Sequence, residues 1–146
     1  MESNIFVPNI TVPEPRRLLI VDDDGALAKG LARLISAKIK TITATFITNP
    51  IEAQAIIEDG LNPNDLVLSD YHMPEMTGLE LAEITLEIRR QKAIKFFIMS
   101  GAADSGPEGK EIRKAIGTYI EDYFPKPLDI STFKATILGV KLSHFQ

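Results

Sequence analysis

Arg17-Leu18-Leu19-Ile20-Val21-Asp22-Asp23-Asp24-Gly25 decides the fold. A short unbroken apolar run is the pattern of a strand buried on both faces, and three consecutive acids end it abruptly. The same design recurs along the chain. Leu66-Val67-Leu68-Ser69 stops at Asp70, and Lys95-Phe96-Phe97-Ile98-Met99 stops at Ser100-Gly101. Thr41 to Ile47 is rich in β-branched residues and reads as a further strand. Tyr119 to Phe124 reads as the fifth, followed by Pro125-Lys126-Pro127.

Helical signals separate these runs. Leu27, Leu31, Leu34, Ile35 and Ile39 recur at helical spacing after the first strand. Pro50 sits where a helix can begin, Ile51 to Asp59 continues it, and Gly60 with Asn62-Pro63-Asn64 breaks it. Leu79, Leu81, Ile84, Leu86 and Ile88 predict one helix up to about Arg90. A shorter helix is expected over Glu108 to Ile116 and a last one over Ile130 to Leu138. Five strands alternating with five helices predict a doubly wound α/β domain, its mostly parallel sheet covered on both faces. In such sheets, ligands sit outside the carboxyl ends of the strands. Asp22 and Asp23, Asp70, Ser100 and Lys126 follow the first, third, fourth and fifth strands, and should emerge at one rim.

The chemistry of that set is coherent. Clustered carboxylates repel one another, and a hard divalent cation relieves the repulsion. Asp22 and Asp23 would hold Mg²⁺, with Asp70 as a third acidic ligand. A carboxylate can also act as a nucleophile and form an aspartyl phosphate. Phosphoryl transfer needs mainly positioning and charge neutralisation, which the cation, the Lys126 ammonium and the Ser100 hydroxyl would share. Each residue also has a plainer reading. Asp22-Asp23-Asp24 could serve only the dipole of the following helix, and Lys126 could be a solvated surface lysine. Their joint placement at strand ends favours the site.

Composition narrows the classes. The 146 residues suit one domain, and the absence of cysteine excludes disulfides, thiolate metal sites and a thiol nucleophile. A net charge of −4 lacks the basic footprint of a nucleic-acid binder. No apolar run approaches the roughly 20 residues that span a bilayer. The start of the chain lacks the basic and apolar pattern of a secretion signal, so a cytoplasmic location is expected and Asn9-Ile10-Thr11 reads as a chance sequon. Ser105-Gly106-Pro107-Glu108-Gly109-Lys110 fails the spacing of a phosphate-binding loop. Only Gly139 to Gln146 follow the last helix, too few for a DNA-binding module, so the output is expected to come from a partner protein or from passing a phosphoryl group on to a second histidine.

From about Arg16 to about Leu138 the chain resembles the receiver domains of two-component response regulators. Leu19-Ile20-Val21-Asp22-Asp23-Asp24 is similar to the family's acidic motif. Leu68-Ser69-Asp70-Tyr71-His72-Met73-Pro74-Glu75-Met76-Thr77-Gly78 is similar to its phosphoacceptor segment. Met99-Ser100-Gly101-Ala102 and Lys126-Pro127 match its switch hydroxyl and its lysine, whose bond to proline is usually cis in relatives. The resemblance implies a flavodoxin-like sheet of order 2-1-3-4-5. It implies Asp70 as phosphoacceptor, and Asp22, Asp23, Asp70 and the backbone carbonyl of His72 as ligands of Mg²⁺ or Mn²⁺. It also implies Lys126 and Ser100 as catalytic groups, and Ser100 with Tyr123 as the switch. A histidine kinase or histidine phosphotransfer protein would be the donor in a phosphorelay, and an unidentified protein the target. No enzyme acting on a free substrate is expected, and neither nucleic acid nor membrane is expected as a partner.

Residues 16–139 would form the receiver, with 1–15 an N-terminal extension and 140–146 a tail. Tyr119 and Phe124 compete with Tyr123 for the switch position. The His72 imidazole reads as solvent-facing, with a role in tuning dephosphorylation as the alternative. A haloacid-dehalogenase-like phosphatase would carry its nucleophile in Asp-x-Asp after the first strand, which this order of motifs does not follow. A phosphorylation-independent interaction module with the same fold is the remaining alternative.

Overall fold

A computed structural model describes residues 16–101 and 106–139. The extension 1–15, the tail 140–146 and Ala102 of the switch motif lie outside them. Five parallel strands form one sheet: β1 (Arg16–Val21), β2 (Ile42–Ile47), β3 (Leu66–Asp70), β4 (Lys95–Ser100) and β5 (Asp122–Pro125). Their order is β2-β1-β3-β4-β5, so the strand order reverses between β1 and β3. Asp70 is in register with Met99, and Ser100 with Pro125.

The apolar runs are continuous because each strand feeds two cores. Side chains alternate across a strand. Leu18, Ile20, Leu66, Leu68, Phe97 and Met99 face one layer, against α1 (Gly25–Lys38) and α6 (Ile130–Ile137). Leu19, Val21, Val67, Phe96 and Ile98 face the other. That second layer holds α2 (Pro50–Ala55, extended by one π-helical segment, Ile56–Gly60), α3 (Gly78–Ile84), α4 (Leu86–Lys92) and α5 (Gly106–Ala115). Asn49 caps α2, and Pro50 occupies its first turn.

The α1 stripe differs from the expectation. Ala28, Ala32 and Ile35 meet the sheet, whereas Leu27 and Leu34 are 49% and 43% exposed. The leucines instead edge a cleft of about 510 Å³ that also touches Met99, Pro127 and Leu128.

Two other elements depart from the sequence reading. The single helix expected over Leu79 to Arg90 is two, broken at Thr85. The Thr85 hydroxyl donates to the Leu81 carbonyl at 2.8 Å, and Arg89 Nη2 donates to the Ala82 carbonyl at 2.7 Å. The Leu81 carbonyl still accepts its ladder bond from the Thr85 amide at 3.2 Å, so it is the Ala82 carbonyl that a side chain takes from the helix. The fifth strand begins at Asp122, not Tyr119. The amides of Tyr119 and Ile120 bond back to the Ala115 carbonyl, closing the end of α5, and Gly117 turns the chain with φ of 90°.

Arg89 ties these irregular pieces together. Its guanidinium is buried and donates to Thr85 Oγ1 and to the carbonyls of Ala82, Ile94 and Tyr119, beside the Phe96 ring. Burial, and secondarily Arg90, lower its pKa to about 10, which leaves it charged at neutral pH. Replacing Arg89 by Met therefore strands several buried carbonyls. Urea unfolding should show a loss of about 3 kcal/mol; a loss below about 0.5 kcal/mol would mean that Arg89 does not hold the helix break and the linker together.

Candidate functional site

The candidate site lies at the carboxyl ends of β1, β3, β4 and β5. Asp22 directly follows β1 and is 2% exposed. Its Oδ1 accepts from the Asp24 amide at 3.0 Å, which fixes the acidic turn. Asp24 caps α1 by accepting from the Leu27 amide, so the third acid of the run serves the helix. Asp23 is exposed beside it.

Asp70 ends β3 and is 9% exposed. The chain leaves it along a constrained path: the Tyr71 amide donates to the Met99 carbonyl at 3.0 Å, and the Gly78 amide to the Tyr71 carbonyl at 2.8 Å. Thr77 and Glu80 form a capping box that starts α3. Gly78 is required for closeness, since a Cβ there would lie 2.4 Å from the Asp70 carbonyl oxygen.

Lys126 arrives from the far end of the sequence. The amide of Lys126 donates to the Ser100 carbonyl at 3.2 Å, so the chain regains a sheet bond just after Pro125, which has no donor. The Lys126–Pro127 bond is cis. Its ammonium sits 2.9 Å from Asp70 Oδ1 and 3.4 Å from Asp22 Oδ2. Carboxylate oxygens of Asp22, Asp23 and Asp70 all lie within 4.8 Å of one another, a spacing that fits one divalent cation. Burial raises the pKa of Asp70; the hydrogen bond from Lys126 opposes this, and the charge of Asp22 adds to it. Burial lowers the pKa of Lys126, but the hydrogen bond and charge of Asp70 outweigh it, so the net shift is upward.

Ser100 ends β4, is 1% exposed, and donates its hydroxyl to Glu108 Oε2 in the first turn of α5. The His72 imidazole is 75% exposed, and its Nε2 is 2.5 Å from Glu108 Oε1. Tyr123 is half-buried against the layer that includes α5. Phe124 points the other way, its ring tilted against Phe97 at 5.7 Å and edge-to-face with Phe133 at 5.3 Å, which removes it as a switch candidate. Tyr119 packs on the same layer as Tyr123. The sequence reading missed Glu108 and Glu111. Both lie on α5, and Glu111 accepts from the buried Tyr71 phenol, one residue past Asp70. Two acids three apart on a helix were visible, but no short motif connects them to residues 71, 72 and 100.

This arrangement of acids, hydroxyl and lysine on a 2-1-3-4-5 sheet defines the class. The response regulator receiver domain family model matches residues 18–138, and the chain belongs to that family. The two-component response regulator ORR22 of Oryza sativa subsp. indica is 30% identical over 122 residues, covering 84% of this chain and 16% of that protein. ORR3 of the same plant is 30% identical over 120 residues, covering 81% of this chain and 86% of the relative. The chain thus spans only a small part of some relatives and most of others. The receiver domain of the Francisella response regulator 1452 superimposes with a TM-score of 0.63 at 25% identity, covering 84% of this chain and 93% of that one. Among the described residues, no helix is long and apolar enough to cross a membrane.

Two outcomes follow from the geometry. Replacing Lys126 by Met leaves Asp22 and Asp70 facing each other without a cation, so metal-free stability should fall by about 1 kcal/mol in urea unfolding near neutral pH. The raised lysine pKa sets the sign with pH: its stabilisation is full below the ordinary lysine value and lost above the folded one. On the alkaline side the gap between wild type and Lys126→Met should therefore narrow only in strong base; a gap already closed at neutral pH would count against the bridge. Gly78→Ala should cost about 2 kcal/mol or more, because the new Cβ meets backbone. An unchanged unfolding midpoint would show that the loop after Asp70 is looser than described.

Proposed function

We propose that residues 16–139 form the phospho-accepting receiver of a phosphorelay, with Asp70 as acceptor. The observation that carries this reading is the Lys126 ammonium, within 2.9 Å of Asp70 and 3.4 Å of Asp22, at the rim where four strands end. An Asp70 carboxylate oxygen attacks the phosphorus of a phosphohistidine. The new P–O bond forms as the P–N bond breaks, and the imidazole nitrogen keeps the electron pair. Lys126 then offsets charge on a phosphoryl oxygen, and Ser100 donates its hydroxyl to another. Asp22, Asp23, Asp70 and the backbone carbonyl of His72 would hold Mg²⁺ or Mn²⁺, which would supply further charge neutralisation.

A protein donor, a histidine kinase or a histidine phosphotransfer protein, suits the surroundings better than a small one. The exposed leucines of α1 edge a cleft that reaches Asp22 and Lys126, giving an apolar surface next to the acceptor. Downstream, Ser100 and Tyr123 couple the modified site to the face of α5 and β5, which would engage a protein target in the cytoplasm.

Acetyl phosphate with Mg²⁺ should add one phosphoryl group to the protein, read as intact mass. Asp70→Asn, or omission of Mg²⁺, should abolish the gain. A phosphoryl group that persists in Asp70→Asn would refute the assignment of the acceptor. No gain from either acetyl phosphate or a phosphohistidine donor would leave an interaction module with the receiver fold.

A further inference from the structure

Each carboxylate oxygen of Glu108 is engaged by a different strand end. Oε2 accepts the Ser100 hydroxyl from β4, and Oε1 pairs with His72 Nε2, two residues past the end of β3. One face of α5 carries a second tether three residues on, where Glu111 accepts from the Tyr71 phenol at 2.5 Å. Burial, reinforced by Glu111, raises the phenol pKa above its ordinary range, so Tyr71 remains a donor. The segment just after Asp70 is thus bound to α5 by two carboxylates, and one of them also holds Ser100.

A hydroxyl has one proton to donate. The Ser100 proton cannot serve Glu108 and a phosphoryl oxygen on Asp70 at the same time. We infer that Glu108 is a competing latch: it occupies Ser100 and His72 while Asp70 is unmodified, and phosphorylation displaces it, freeing the first turn of α5. The order of strength supports displacement. A phosphoryl group with nearly two negative charges is a stronger acceptor than one carboxylate, and it repels the carboxylate it replaces. The Glu111–Tyr71 bond remains, so the movement is confined to the amino-terminal turn of α5. Glu108 is then a positioning residue that acts through Ser100. It sets the threshold for switching, and its removal should make the phosphorylated form easier to reach.

This inference rests on Asp70 as the phosphoacceptor. Beryllium fluoride with Mg²⁺ imitates an aspartyl phosphate without turnover, and its dissociation constant can be read by fluorine NMR. Glu108→Ala should bind it about tenfold more tightly than wild type. Glu108→Gln keeps an acceptor for Ser100 but removes the charge, and should gain about threefold. Glu111→Gln, which leaves Ser100 untouched, should bind as wild type does. Wild-type affinity in Glu108→Ala with an unchanged circular dichroism spectrum would overturn the latch. Should that variant misfold, wild-type affinity in Glu108→Gln would overturn it equally. Wild-type protein as silent as Asp70→Asn would remove the phosphoacceptor reading, and the latch with it; binding by wild type without a gain in either Glu108 variant removes the latch alone.

Discussion

Asp22 and Asp70 are nearly buried, belong to neighbouring strands, and bring like charges to one rim of the sheet. Such crowding needs a cation, and the chain supplies one from 104 residues beyond Asp22. The Lys126 ammonium can reach both carboxylates only if β5 lies beside β4 and ends level with it. The Lys126 amide, bonded to the Ser100 carbonyl, fixes that level. Sheet register, the turn after β5 and the loop after Asp70 all converge on this one bridge. Burial nevertheless holds the pKa of Asp70 above the ordinary value, so the fold keeps this carboxylate in an environment that welcomes neutralisation.

The two-faced core makes this rim rigid. β1, β3 and β4 are buried along most of their length, with alternate side chains anchored in opposite layers. A strand held from both sides cannot slip by one residue without exchanging its two sets of side chains. Asp70, Ser100 and Asp22 therefore emerge at fixed heights. The helices around the rim are less uniform. α1 and α6 share a packed layer with Phe97, Phe124 and Phe133, whereas α5 is additionally tied to the rim by polar side chains. A charge placed on Asp70 would consequently be felt first by α5, through Ser100 and Glu108.

Much of this was legible in the sequence because the strands are short apolar runs that end in polar residues. Those ends named Asp22, Asp70, Ser100 and Lys126 before any geometry was known, and the structure gathers them at one rim. What escaped depended on side chains competing with the backbone. Periodicity carried the helix from Leu79 through Arg90 unbroken, because the pattern does not register Arg89 taking the Ala82 carbonyl. Tyr119 and Ile120 have strand-forming side chains, yet their amides are spent on closing α5. Leu27 and Leu34 fit a core stripe, but the small Ala28 and Ala32 hold the contact with the sheet. Glu108 was invisible for a different reason. Its partners, at 72 and 100, become neighbours only when the sheet and α5 are assembled.

The acidic rim has the charge and the spacing of a site for a divalent cation. Isothermal titration of Mg²⁺ into metal-free wild type and Asp23→Asn tests it most directly, because Asp23 is exposed and its replacement disturbs little packing. Saturable binding of one ion by wild type, weakened by an order of magnitude or more in Asp23→Asn, is the predicted result. No binding by wild type, or equal binding by the two proteins, would contradict it.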